Sequence, residues 1–93
     1  MIKTFANKET AAVFANRKVR RFDIHLMQIA QRKLAHLHRV QQVDELQIPP
    51  GNRLEKLSGK RAGQWSIRIN DRWRICFVWR DGHAWDVEID DYH

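Results

Sequence analysis

A chain of 93 residues, 43% apolar and 30% charged, fits one domain with a modest core that needs no staples. No apolar run approaches the ~18 residues that span a bilayer, and the start is polar rather than signal-like. The single cysteine, Cys76, has no partner for an internal disulfide, so a membrane protein and a disulfide-built secreted one are set aside and a cytoplasmic chain is expected. The net charge of +6 is local: residues 53–80 hold eight bases against Glu55 and Asp71, while the rest balance nine against nine. Such an excess points to nucleic acid or another polyanion, although charge alone fits a solvated basic face equally well.

In chain order, Ile2 to Phe5 reads as a short apolar strand at a sheet edge. Asn7 is placed to cap a helix carrying Ala11, Ala12, Phe14 and Ala15 and ending near Arg17, because its side-chain oxygen accepts an N–H that the first turn leaves unpaired. A longer helix runs from about Arg21 or Asp23 to His38, with Leu26, Ile29, Ala30, Leu34 and Leu37 as one apolar stripe. Its Arg32, Lys33 and Arg39 read as a solvated face that an acidic partner could also meet. Val43 to Leu46 adds a helical turn before Pro49-Pro50-Gly51 breaks the chain. Leu54 to Leu57 is a brief strand entering a basic loop, Ser58 to Gly63.

From Gln64 onward apolar and polar residues alternate in three runs, interrupted at Asn70-Asp71 and Asp81-Gly82. Trp65, Ile67, Ile69, Trp73, Ile75, Phe77, Trp79, Trp85, Val87 and Ile89 all carry odd numbers. Each run therefore has one apolar face, and three strands can share it. Parity then selects the loops. A loop of Asn70 to Arg72 sets Ile67 against Ile75 and Arg68 against Arg74. A loop of Asp81 to His83 sets Trp79 against Trp85, Phe77 against Val87, and Arg74 against Asp90. The whole is α+β, a single domain over 1–93, with two N-terminal helices packed on one face of a small antiparallel sheet. All four tryptophans then join the core, and the uncovered face carries the arginines.

Like charges opposed on a sheet are unfavourable, by roughly 0.2–1 kcal/mol. Asp90 neutralises Arg74 in the plainest reading, which leaves Arg68 unaccounted for. Two guanidinium forks at strand spacing suit a phosphate. The final Asp91-Tyr92-His93 follows directly on a strand pinned by apolar residues. Histidine is the side chain that titrates nearest neutrality, and an aspartate can orient it. Tyr92 is the aromatic of the meander free of the core parity, and so a stacking candidate for a base. Together these residues outline phosphodiester chemistry on RNA. A 2′-hydroxyl attacks the neighbouring phosphate, His93 moves the proton, and Arg68 and Arg74 stabilise the developing charge. No metal or other cofactor is expected, since no histidine or cysteine pair has ligand spacing. Cys76 reads as a small packing residue rather than a nucleophile.

Two stretches carry a family resemblance: Leu57-Ser-Gly-Lys-Arg-Ala-Gly-Gln-Trp-Ser-Ile-Arg-Ile-Asn-Asp-Arg-Trp-Arg-Ile-Cys-Phe-Val-Trp, and the closing Val87-Glu-Ile-Asp-Asp-Tyr-His. They resemble the RelE/ParE toxin superfamily, and more closely its HigB branch, the plasmid maintenance system killer proteins. The likeness extends to Met1-Ile-Lys-Thr-Phe and Pro50-Gly-Asn-Arg-Leu. It implies a toxin of a type II toxin–antitoxin pair, an mRNA interferase that cuts message in the ribosomal decoding site, inhibits translation and arrests growth. It also implies inhibition by a helix-turn-helix, HigA-like antitoxin. By position, Asp91, Tyr92 and His93 match the family's terminal catalytic residues, and Arg68 and Arg74 match its phosphate-facing arginines. Lys60 and Arg61 match its basic loop, with Arg53 and Lys56 in the same basic stretch as further RNA or ribosome contacts. Some relatives place a histidine and a lysine where Glu55 and Ser58 stand here. Two other functions belong to the comparison: a gyrase poison of the ParE type, and a non-catalytic binder of RNA or the ribosome.

Overall fold

The computed structural model describes residues 1–91; Tyr92 and His93 lie outside them. Two short polar side chains start the helices. Asn7 Oδ1 accepts the Thr10 N–H at 2.8 Å and opens α1, Lys8–Phe14. Asp23 Oδ1 accepts the Leu26 N–H at 2.8 Å and opens α2, Ile24–Arg39. Caps of this kind are worth about 1 kcal/mol each. α1 stops at Phe14, short of Arg17, because the chain turns left-handed at Asn16 (φ 63°). Single 3-10 turns follow at Val43–Gln47 and Pro50–Asn52, and a third, Gly59–Arg61, forms the basic loop.

The strands are β1 (Glu55–Lys56), β2 (Gln64–Arg68), β3 (Arg74–Arg80) and β4 (His83–Asp90). They pair antiparallel in the order β1-β2-β3-β4. The N-terminal segment lies along the free edge of β4, with Ile2 and Phe5 bridging Ala84 and Val87 in parallel. Thr10 Oγ1 accepts the Ile89 N–H at 3.0 Å, so α1 also satisfies a donor on β4. Both helices cover the apolar face of the sheet. Leu26, Ala30, Leu34 and Leu37 join Ile67, Ile75, Phe77 and Val87 in one core. Fully burying a side chain such as Leu34 or Phe77 contributes about 1.5–3 kcal/mol. Among the described residues no helix is long and apolar enough to cross a membrane.

Parity holds across the first hairpin. Ile67 faces Ile75 and Arg68 faces Arg74. Asn70 shapes the turn, its Oδ1 accepting the N–H groups of Arg72 and Trp73 at 2.9 and 2.8 Å. In the second hairpin the expected loop of Asp81 to His83 is wrong. Arg80 pairs with His83, so only Asp81 and Gly82 form the turn, both at positive φ (56° and 78°). A two-residue turn of this handedness matches the twist of the flanking strands.

That shorter turn shifts the register by one. Trp79 pairs with Ala84 and Val78 with Trp85. Ala84 takes the core position, fully buried, and Trp85 moves to the polar face. There the Arg80 guanidinium lies 4.4 Å from the Trp85 ring centroid, and Trp85 Nε1 donates to Arg80 O at 3.2 Å. Thus only three tryptophans belong to the core side. A bulge between Val78 and Cys76 restores the parity, with Asp86 in the left-handed region (φ 52°) as the extra residue. Beyond it Arg74 faces Asp90, as parity requires.

Candidate functional site

Register fixes what the polar face carries. One row across the sheet is Arg68, Arg74 and Asp90. The next is Glu55, Ser66, Cys76 and Glu88. The third is Gln64, Val78 and Trp85. Arg68 and Arg74 are therefore side by side, as the alternation predicts.

Arg61 crosses this face from the basic loop. Its Nη1 donates to Gln64 Oε1 at 2.9 Å and lies 3.5 Å from Glu88 Oε1, while Nη2 pairs with the Asp90 carboxylate. Gln64 is on β2 and both acids are on β4, so the guanidinium passes over β3 at Cys76. This bridge gives a physical reason for the burial of Ser66 and Cys76 on the side expected to be open. It also corrects the pairing of Asp90, whose carboxylate goes to Arg61 rather than to Arg74.

Burial pushes the Cys76 thiol up to about 11, with Asp90 and Glu88 adding to the rise and Arg61 and Arg74 opposing it. A thiol so protonated is a poor nucleophile. At pH 8 the thiolate fraction falls about 100-fold relative to an ordinary thiol titrating near 9.0. Native protein should therefore react with a thiol reagent at least about 100-fold more slowly than the same chain in guanidinium, as read by release of a chromophoric leaving group. Equal rates would show Cys76 to be accessible and ionised.

The two central arginines are held differently. Arg68 Nη2 pairs with Asp71, whose side chain is fully exposed. An exposed pair adds little and is screened by salt, so a phosphate can displace the carboxylate. Arg74 Nη1 donates to Asn70 O at 2.6 Å and Trp73 O at 3.3 Å. Among the described residues Arg74 has no carboxylate partner, and its full charge stands next to Arg68 on the polar face.

The other sequence candidates are dispersed. Asp91 accepts from Arg72 Nε at 3.0 Å and from its Nη2 at 2.9 Å. The Arg72 guanidinium in turn lies 5.0 Å from the Trp73 ring centroid, so Asp91 is engaged on the Trp73 side, where its parity puts it. Tyr92 and His93 lie outside the described residues. Lys60 is exposed in the basic loop, and Arg53 is exposed at a left-handed position (φ 47°) before β1. Lys56 faces the other way, with its ammonium 5.8 Å from the Trp65 ring centroid. Glu55 is exposed in the row of Ser66.

Sequence reasoning missed the contact of Lys33 with the Pro50–Asn52 turn. Its Nζ binds Asn52 Oδ1, and Asn52 is itself buried and donates to Leu46 O at 3.1 Å. Burial lowers the Lys33 pKa, and Arg32 and then Arg68 lower it further. No local signal marks this contact; it comes from where the Pro50–Asn52 turn meets the helix.

Among the described residues no group of three or more His, Cys, Asp and Glu could hold a metal ion. What the polar face offers is a set of guanidiniums, with Arg74 unneutralised by any of the described residues, suited to an anion of phosphate size.

Comparison with known proteins agrees with this architecture. A chain of the YoeB-YefM complex from Staphylococcus aureus covers 100% of this chain and 98% of its own at TM-score 0.63 and 16% identity, which shows a shared fold. A heterotetrameric YoeB-YefM toxin-antitoxin complex from the same organism matches at TM-score 0.63 and 17% identity. In sequence, Toxin HigB-1 of Vibrio cholerae serotype O1 is 44% identical over 61 residues, 66% of this chain and 64% of that one. Endoribonuclease HigB of Proteus vulgaris is 42% identical over 41 residues, 44% of this chain and 45% of that one. The matched stretches span less than two thirds of either relative. A family model described as the RelE-like toxin of the type II toxin-antitoxin system HigB matches residues 3–93. The chain belongs to this family of HigB-like toxins.

Proposed function

We propose that the chain is a ribosome-dependent endoribonuclease, a toxin that cuts message in the decoding site and is restrained by a HigA-like antitoxin. The observation that carries this reading is the register of Arg68 against Arg74, with no carboxylate beside Arg74 among the described residues. A phosphodiester carries one negative charge and gains a second as a nucleophile adds. An unneutralised guanidinium fork next to an easily released one favours that change.

The step is a transesterification. The O2′–P bond forms, the P–O5′ bond breaks, and a 2′,3′-cyclic phosphate and a free 5′-hydroxyl result. One proton leaves O2′ and one reaches O5′. His93 is the group proposed to move it, assisted by Tyr92 and Asp91; Lys60 and Arg53 extend the contact with RNA. The name borne by the Proteus vulgaris relative supports the nuclease class. Work on ribosomes would take place in the cytoplasm.

Mapping transcript 5′ ends after brief induction tests the proposal. New ends inside translated codons, lost when ribosomes are stalled in initiation, are expected. Intact message with double-strand DNA breaks would instead make the chain a gyrase poison. Inhibited translation with uncut message would make it a binder.

A further inference from the structure

α1 and α2 leave a trough between them that core packing does not close. Val13 and Met27 line its floor, and two adjoining hollows of about 180 and 480 Å³ share Lys18, Ile24 and Met27. Ile24, the first residue of α2, stands on its rim with 63% of its surface exposed. A large aliphatic side chain left in water at a helix start is unexplained by the fold.

Three bases ring this apolar floor. Arg17, Lys18 and Arg20 are all exposed, and none has a carboxylate partner among the described residues. Their neighbours differ. Arg21 pairs with Glu9 at 2.8 Å and lies 5.2 Å from the Phe22 ring centroid, while Asp23 is consumed as the α2 cap.

We propose that this trough docks an acidic segment of a protein partner that carries an aliphatic side chain, and that the antitoxin of the pair supplies it. The assignment rests on the reading of the chain as a toxin with such a partner. Both halves of the site argue for peptide over RNA. Carboxylates complement the three bases, and an aliphatic anchor fills the hollow beside Ile24 and Met27, which a sugar-phosphate backbone leaves unfilled. The trough lies in the helix layer, on the side of the sheet opposite Arg68 and Arg74. A segment seated there restrains the toxin by keeping it from its target and leaves the arginine pair untouched.

Calorimetric titration of the purified toxin with the antitoxin chain of its own pair tests this. Arg17→Glu/Lys18→Glu/Arg20→Glu should weaken binding at least tenfold and flatten its salt dependence. Ile24→Asp should weaken it at least tenfold as well. Position 24 is already exposed, so Ile24→Asp keeps the fold, which an unchanged thermal melt confirms. Ile48→Asp, at a still more exposed aliphatic (74%) outside the trough, should bind as the unaltered chain does. In cells both trough variants should arrest growth and escape rescue by the antitoxin. Unchanged antitoxin affinity in both variants overturns the proposal. So does a loss of ribosome affinity with antitoxin binding intact, which would make the trough a ribosomal RNA contact. The titration reads binding alone, so a toxin found to lack nuclease activity would leave this result standing.

Discussion

Arg74→Ala should lower message cleavage on programmed ribosomes about 10²- to 10³-fold, the usual cost of removing one donor from a site of developing negative charge. In free energy that is about 2.7–4 kcal/mol. The fold should lose less than the reaction does. Arg74 gives up two hydrogen bonds to backbone carbonyls, at Asn70 and Trp73. Each is worth about 1 kcal/mol net. Against this the variant relieves the opposition with Arg68, by roughly 0.2–1 kcal/mol. The net cost of about 1–2 kcal/mol lowers the melting temperature by roughly 4–14 °C in a domain of this size, and that drop beside a large fall in kcat is the expected pair of readings. Arg74→Lys keeps the charge and loses the planar fork, so it should fall between the two. Arg68→Ala should cost less than Arg74→Ala, because Asp71 already offsets part of the Arg68 charge. Wild-type cleavage by Arg74→Ala would remove this arginine from the site and leave the register on the polar face without a catalytic meaning.

Much of this site is legible in the alternation of Gln64 to Asp90, and the failures have identifiable causes. Arg68 against Arg74 follows from parity because the Asn70 turn sits between two unbroken alternations. Asn7 and Asp23 are readable as caps because capping is local. The second hairpin fails for a reason local pattern cannot carry. Asp81-Gly82 closes as a two-residue turn, and an extra residue at Asp86 repairs the parity afterwards. Two errors of one residue cancel, so Arg74 meets Asp90 as expected while Trp85 points the opposite way from its prediction. The pairing of Asp90 with Arg61 was out of reach for another reason. The two are separated by 29 residues, and which of three nearby guanidiniums a carboxylate takes depends on where a 3-10 turn folds back. Lys56 lies on the Trp65 side of β1, which net charge does not foretell, since it says nothing about which side of a strand a base occupies.

Arg61 is tied to Gln64, Glu88 and Asp90 across the sheet, so it serves first to fasten the basic loop over Cys76. Asp91 is taken up by Arg72. In the proposed reaction charge stabilisation falls to Arg74, with Arg68 beside it, and a guanidinium is not suited to exchange a proton near neutrality.

Proton transfer is therefore where the largest loss should appear. His93→Ala and His93→Gln should each reduce cleavage about 10²- to 10⁴-fold, the contribution typical of a positioned general acid or base. That range corresponds to about 2.7–5.5 kcal/mol. Glutamine is the informative replacement, since it retains a hydrogen-bonding side chain of similar reach and cannot titrate. If His93 only positioned the RNA, glutamine would restore most of the rate; if it moves the proton, glutamine should be as inactive as alanine. The pH profile separates the two roles again. The unaltered toxin should change rate across the range where imidazole titrates, and the glutamine variant should lose that limb. A double variant with Arg74→Ala should be slower than either single one by much less than the product of their losses, because proton transfer and charge stabilisation serve the same transition state. Full activity in His93→Gln with an unaltered pH profile would refute the assignment of the proton to this histidine. The nuclease reading would then require an acid or base from the ribosome or from the RNA itself.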